Sequence, residues 1–275
     1  MRLELVRALE TAPVDWNVSL HAGPPHTADV VVCGPDIEIV DIEGALRFDP
    51  DAPERLVENI AAAARLDGRS VVVTSAGGGT GVTSIALHMA AELASRGFTT
   101  ALVDMSSDRA VGARVGLDLV GGDSPQDRVV PVPGGFRLLM TDEPDFARVM
   151  ERAHEGFDRV AFDRVVADAA ANMVGAIRPQ TPAVVVIQPS PCGIDRARDL
   201  IRAHPSAMWL PVVNRLGAGG EMTASMVGRD LGIPVAVELP CCPALRDRED
   251  EGRLLKPGWT RWTRRIARII DLIER

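Results

Sequence analysis

Ser70-Val71-Val72-Val73-Thr74 runs into Ser75-Ala76-Gly77-Gly78-Gly79-Thr80-Gly81, and that loop runs into Val82-Thr83-Ser84-Ile85-Ala86-Leu87. The three valines form an unbroken β-branched run, as expected of a strand covered on both faces of a parallel sheet. A helix is predicted from about Thr83 to Arg96, with Gly97 as its stop. Thr99–Val103 reads as the next strand and closes at Asp104. Strand, helix and strand in this order make a βαβ unit, which predicts parallel pairing with a right-handed crossover. The loop holds four glycines in five residues, more than a tight turn alone requires. Without Cβ atoms, backbone N–H groups can converge on an anion. The helix N-terminus adds unpaired donors and the positive end of its dipole.

The alternation continues along the chain. Gly135–Met140, Arg164–Ala167, Ala183–Gln188, Met208–Val213 and Val235–Leu239 read as strands, the second stopping at Asp168 and the fourth at Asn214. Phe146–His154, Cys192–Ala203, Met222–Leu231 and Trp259–Glu274 read as helices. This predicts an α/β fold over residues 69–275, a mostly parallel sheet with helices on both faces. Residues 1–68 predict a small N-terminal α/β module. In it Leu3–Leu9, Trp16–His21 and Ala28–Cys33 are strand-like, and Leu56, Ile60 and Ala63 mark a helix.

Composition narrows the function. The 275 residues carry a net charge of −8, which disfavours a general hold on nucleic-acid backbones. Aromatic residues make up 4% and tyrosine is absent, so the core must be built from Val, Leu, Ile and Ala. The only lysine is Lys256; every other cationic side chain of the Lys/Arg class is arginine. Lysine-dependent chemistry is therefore excluded anywhere before that position. Cys33, Cys192, Cys241 and Cys242 form no C-x-x-C pair and read as reduced thiols. The N-terminus MRLELVRALE lacks the apolar core of a signal peptide, and no apolar run approaches the ~18 residues that a membrane span needs. A cytoplasmic protein is expected.

The segment from Gly77 to Ser84 resembles the deviant Walker A loop, K-G-G-x-G-K-T-T, of the MinD/ParA ATPases, a group of P-loop NTPases. Gly78, Gly79, Gly81, Thr83 and Ser84 match it, whereas the two lysine positions fall on Gly77 and Val82. Leu102-Val103-Asp104 is similar to the family's switch I strand end, with Ser106 in place of a second acid. Phe162 to Asp168 resembles its Walker B strand. Val212-Val213-Asn214-Arg215 resembles its N-R element, and Leu231 to Pro240 its late L-G-x-P…I-P segment. The resemblance implies binding of ATP or ADP with Mg²⁺. Gly77, Gly78, Gly79, Thr80, Gly81, Val82, Thr83 and Ser84 would surround the phosphates, and Asn214, Arg215 and Pro240 the base. Thr83, with Asp168 through water, would hold the metal, and Asp104 would position the attacking water as the catalytic group. Phosphoryl transfer needs positive charge on the developing oxygens. With both lysines gone, hydrolysis is expected to be slow or absent unless Arg109 or Arg114 substitutes.

A non-consensus loop together with an N-terminal extension resembles the TadZ/CpaE group, which localises Flp/Tad pilus-assembly machinery and carries a receiver-like domain ahead of the ATPase domain. The septum-site-determining MinD-like proteins are an equally similar branch. Either implies a homodimer that recruits pilus, secretion or division proteins, with a polar or membrane-associated placement. A scaffold with an empty site is the further alternative. No nucleic-acid partner is expected. In the last helix Trp262, Ile266, Ile269, Ile270 and Ile273 line one face, and Arg261, Arg264, Arg265 and Arg268 the other. That pattern suits either a helix packed on the sheet or a peripheral membrane contact.

Overall fold

The computed structural model describes residues 32–33, 46–47, 70–105, 111–117, 128–140, 148–150, 153, 162–171, 173, 181–205, 207–217, 222–255 and 260–274. Two compact units divide the chain, Met1–Gly68 and Arg69–Arg275. In the first, β1 (Val32–Cys33) pairs in parallel with β2 (Leu46–Arg47). The other strands and the helix expected there lie outside the described residues, as do Ser106 and Arg109 of the larger unit.

The second unit is built on an eight-stranded sheet. Its elements in chain order are β3 (Ser70–Thr74), α1 (Val82–Ser95), β4 (Thr100–Met105), α2 (Val111–Arg114), β5 (Arg128–Pro131), β6 (Arg137–Met140), β7 (Arg164–Ala169), β8 (Pro182–Ile187), α3 (Pro191–Ala203), β9 (Met208–Leu216), α4 (Ala224–Leu231), β10 (Val237–Pro240), α5 (Pro243–Asp250) and α6 (Thr260–Ile273). The strands lie in the order β10-β9-β8-β3-β7-β4-β6-β5. Every pairing is parallel except β5 with β6.

The expected α/β architecture, mostly parallel with helices on both faces, is what the chain adopts. Successive strand side chains point to opposite faces. Val71 and Val73 of β3, Leu102 of β4 and Val166 of β7 meet α1 and α6 in one apolar cluster. Val72, Ala101, Val103, Val165 and Ala167 meet α3 and α4 in another. A strand covered on both sides favours apolar residues along its middle, which is why β3 carries a run of valines rather than an alternating pattern.

Sequence periodicity does not announce β5, α2 or α5. β5 is a four-residue edge strand, and it ends in Pro131. A proline is tolerated there because an edge leaves one side of the backbone unbonded. α5 starts at Pro243, in the first turn where proline's missing N–H costs nothing. β9 continues two residues beyond Asn214, to Leu216.

The last helix packs on the sheet. Trp262, Ile266, Ile269 and Ile270 are buried in the first cluster with α1. Arg261, Arg264, Arg265 and Arg268 face outward. Arg96, at the end of α1, donates to Asp271 at 2.9 Å and to the Ala267 carbonyl at 3.2 Å, and Arg164 donates to Glu274 at 3.1 Å. The alternative of a membrane-contacting apolar face is thereby corrected: that face is occupied by the protein's own core. Among the described residues no helix is long and apolar enough to cross a membrane. Ile269→Ala should therefore lower the unfolding free energy by about 2–4 kcal/mol in urea titrations. Removal of residues 259–275 should abolish cooperative unfolding. A truncated chain that folds normally and loses only vesicle binding would contradict this packing.

His88 of α1 lies inside the same cluster. Its Nδ1–H donates to the Ser84 carbonyl at 2.8 Å, and its ring meets Trp262 edge-on at 4.6 Å between centroids. Burial depresses its pKa to about 4, against a smaller opposing effect of the Ser84 bond. The folded state thus binds this proton less well than the unfolded state. The stability that neutral His88 contributes is present above pH 6.5 and is lost as pH falls from there toward 4. Between pH 7 and pH 5 the wild type should lose about 2 kcal/mol more than His88→Gln. Equal pH dependence of the two proteins in urea titrations would refute this.

Candidate functional site

The site lies where the topology divides. β3 sits between β7 and β8, and the chain leaves β3 for α1 on one face, whereas β8 leads to α3 on the other. In open parallel sheets such a point opens a crevice at the carboxyl ends of the strands. The Gly-rich loop spans it, with Gly78 and Gly79 exposed and Thr80 buried.

Two glycines are required by conformation. Gly79 has φ 70° and Gly81 has φ 94°, both in the left-handed region. Gly81 is also the N-cap of α1, and no side chain caps that end. A β-carbon on Gly81 would come within 2.5 Å of Asn214 Nδ2. That amide donates to the Thr80 carbonyl at 2.7 Å, while Asn214 Oδ1 accepts from the Arg215 N–H at 2.9 Å. Asn214 is therefore a strut of the phosphate loop, joining β9 to it across the sheet, as well as the residue expected beside a base. Arg215 holds an exposed left-handed conformation with φ 62°. Pro240 is half-buried at the end of β10, in register with Leu216.

The loop's donors are not all available. The Gly77 N–H donates to Ser75 Oγ at 3.1 Å, and that hydroxyl donates to the Gly77 carbonyl at 2.9 Å. Gly77 thus closes a local turn on Ser75, and its N–H is engaged there. Among the described residues no hydrogen bond engages the N–H groups of Gly78, Gly79 or Gly81. Val82, at the second lysine position, opens α1, and its side chain packs against the apolar cluster. Only its backbone can contribute to the site. Ser84 is buried, and its carbonyl accepts from His88.

Thr83 is half-buried in the first turn of α1. Asp104 and Asp168 are in register on neighbouring strands, and Asp168 is in register with Val73 of β3. The two-residue period puts both carboxylates on the sheet face that carries α1, the same face as Leu102 and Val166. Both are buried. Burial of a carboxylate favours a proton or a cation beside it. The hydroxyls of Thr74 and Thr80 are buried without a hydrogen-bond partner among the described residues. A loop with free N–H groups, two unsatisfied hydroxyls and a glycine cradle fits a polyphosphate, and the donor set of Thr83 with two carboxylates fits Mg²⁺.

Of the two arginines considered as stand-ins for lysine, Arg114 forms an ion pair with Glu249 of α5. Its carbonyl accepts from the Leu254 N–H. These contacts hold it to the α5 region. Among the described residues a cation that reaches the loop is Arg196 of α3. Its Nη1 lies 3.4 Å from where a β-carbon on Gly77 would be. No sequence motif marks Arg196, because it belongs to a separate helix and meets the loop only through the fold.

The Asn214 strut can be tested directly. Asn214→Ala should cost about 1–3 kcal/mol of stability, since it leaves the buried Thr80 carbonyl without its donor. A urea midpoint unchanged from the wild type would show that the bond does not hold the loop.

No protein-family profile and no curated protein matches this chain. Solved structures do match it. The MinC:MinD cell division protein complex of Aquifex aeolicus aligns with TM-score 0.60 and 19% identity, over 74% of this chain and 96% of that one. The ParA family ATPase of Chlorobium tepidum TLS aligns with TM-score 0.56 and 18% identity, over 75% and 98%. The septum site-determining protein MinD of Pyrococcus horikoshii OT3, complexed with Mg-ADP, aligns with TM-score 0.54 and 14% identity, over 75% and 96%. At such identities the likeness is one of fold: residues 69–275 carry the α/β fold of the MinD and ParA ATPases.

Proposed function

We propose that this protein is a nucleotide-binding localisation or assembly factor that binds ATP or ADP with Mg²⁺ and hydrolyses ATP slowly or not at all. The observation that carries the reading is the loop itself. Glycines at positive φ, free N–H groups and a carbonyl pinned by Asn214 keep an anion cradle in shape. Thr83 and Asp168 would hold the metal and Asp104 a water, while Asn214, Arg215 and Pro240 flank the base. Bound Mg²⁺ would neutralise charge on the terminal phosphates. Loss of both lysines removes the loop's own cations, so binding outlasts catalysis.

In this reading nucleotide state controls a homodimer that recruits pilus-assembly machinery. Its support is the pairing of a non-consensus loop with a separate N-terminal unit. A septum-site role is the second reading, favoured by the likeness to the MinC:MinD complex.

Calorimetry with ATP and ADP in the presence of Mg²⁺ tests the reading. The wild type should bind, and Gly81→Val should not, because a side chain there strikes Asn214 and distorts the loop. Thermal melting of Gly81→Val checks that it still folds. No binding by the wild type at millimolar ATP would leave a scaffold with an empty site. Phosphate release at the rate of lysine-bearing relatives would refute the loss of catalysis.

A further inference from the structure

The loop lacks a cation of its own, but the fold brings one to it. α3 begins at a capped end: Ser190 Oγ accepts from the Gly193 N–H at 3.1 Å, and Pro191 occupies the first turn. Ile194, Ala197 and Leu200 bury one side of the helix against the sheet. This anchoring fixes the rotation of α3, and Arg196, on its exposed side, lies against the loop at Gly77. Its guanidinium stops over Gly77, with Nη1 at 3.4 Å from the site of the missing β-carbon.

Three features make this approach meaningful. Gly77 is half-buried and carries no side chain, so a guanidinium can lie against the loop backbone, whereas a longer residue would displace it. Arg196 makes no hydrogen bond or ion pair among the described residues. Its neighbour Arg198, by contrast, is bound to Asp195 at 2.7 Å and to the Asp230 carbonyl. Beside it the loop keeps free N–H groups, and the buried Thr80 hydroxyl has no partner. A cation with open donors against a loop that also offers backbone donors and an unsatisfied hydroxyl is the arrangement that a polyphosphate completes.

We infer that Arg196 binds the phosphates of the nucleotide held by the loop, supplying from α3 the positive charge that the loop no longer carries. The inference rests on the nucleotide-binding reading above. It assigns to the site a residue from outside the loop, held on the opposite face of the sheet from α1. An arginine reaching in from a neighbouring helix also ties that helix to nucleotide occupancy.

The test compares ATP affinity, with Mg²⁺, for the wild type, Arg196→Ala, Arg196→Lys and Arg202→Ala. Arg202 lies exposed in the last turn of the same helix and serves as the charge-matched control. Arg196→Ala should weaken ATP binding roughly 10- to 100-fold, the range for losing a hydrogen bond to a charged group. Arg196→Lys should recover part of this, Arg202→Ala should bind as the wild type does, and all four melting temperatures should agree. Binding by the wild type that is unchanged in Arg196→Ala would overturn this inference and leave the nucleotide-binding reading intact. Failure of the wild type to bind ATP would overturn that reading and this inference with it.

Discussion

The hydrogen-bond ladder that holds β3 between β7 and β8 sets the position of every residue of the site. Ser70 to Val73 pair with Val165 to Asp168 on one side, and Val72 to Thr74 pair with Ala183 to Val185 on the other. A strand held so on both edges and covered on both faces has no freedom of register. A one-residue slip would move its valines to the wrong cluster and shift the loop away from Asp168. The chain leaves β3 at a fixed height, and the loop therefore meets Asn214 from β9 and Arg196 from α3.

The electrostatics of this crevice differ from those of a lysine-bearing phosphate loop. Val82 has become part of the apolar cluster, and Gly77 closes a turn on Ser75. Among the described residues the backbone, the start of α1 and a guanidinium from another helix can attract an anion there. Asp104 and Asp168 bring negative charge together on the α1 face. Under the proposed function Asp168 would hold a divalent cation beside the bound polyphosphate. Under the proposed function such a set would hold a ground-state phosphate without fast turnover, because these donors do not by themselves follow charge as it moves to the leaving oxygen.

Much of the fold was legible because burial on two faces writes itself into composition. The runs Val71-Val72-Val73 and Val184-Val185-Val186 both became central strands of the sheet. The helices α3, α4 and α6 were marked by their apolar spacing. β5 was not, since an edge strand of four residues has too little periodicity and ends in proline. α5 was not either, because it buries no continuous apolar stripe. In the site, Asp104 and Asp168 stood at strand ends where position alone suggests a role, and the glycines, Thr83 and Asn214 were marked by the resemblance of their motifs. Arg196 had no such mark.

The sequence by itself determined the parallel α/β architecture, the glycine cradle and the absence of lysine from it. These are local properties: β-branched runs, φ freedom and side-chain chemistry do not depend on what lies across the crevice. Tertiary structure alone decided that Asn214 struts the loop, that Val82 turns inward, that the apolar face of α6 is covered, and that Arg196 rather than Arg114 reaches the phosphate loop. Each of these is a contact between segments far apart in the chain, and only the packing of α3, α6 and β9 on the sheet sets those distances.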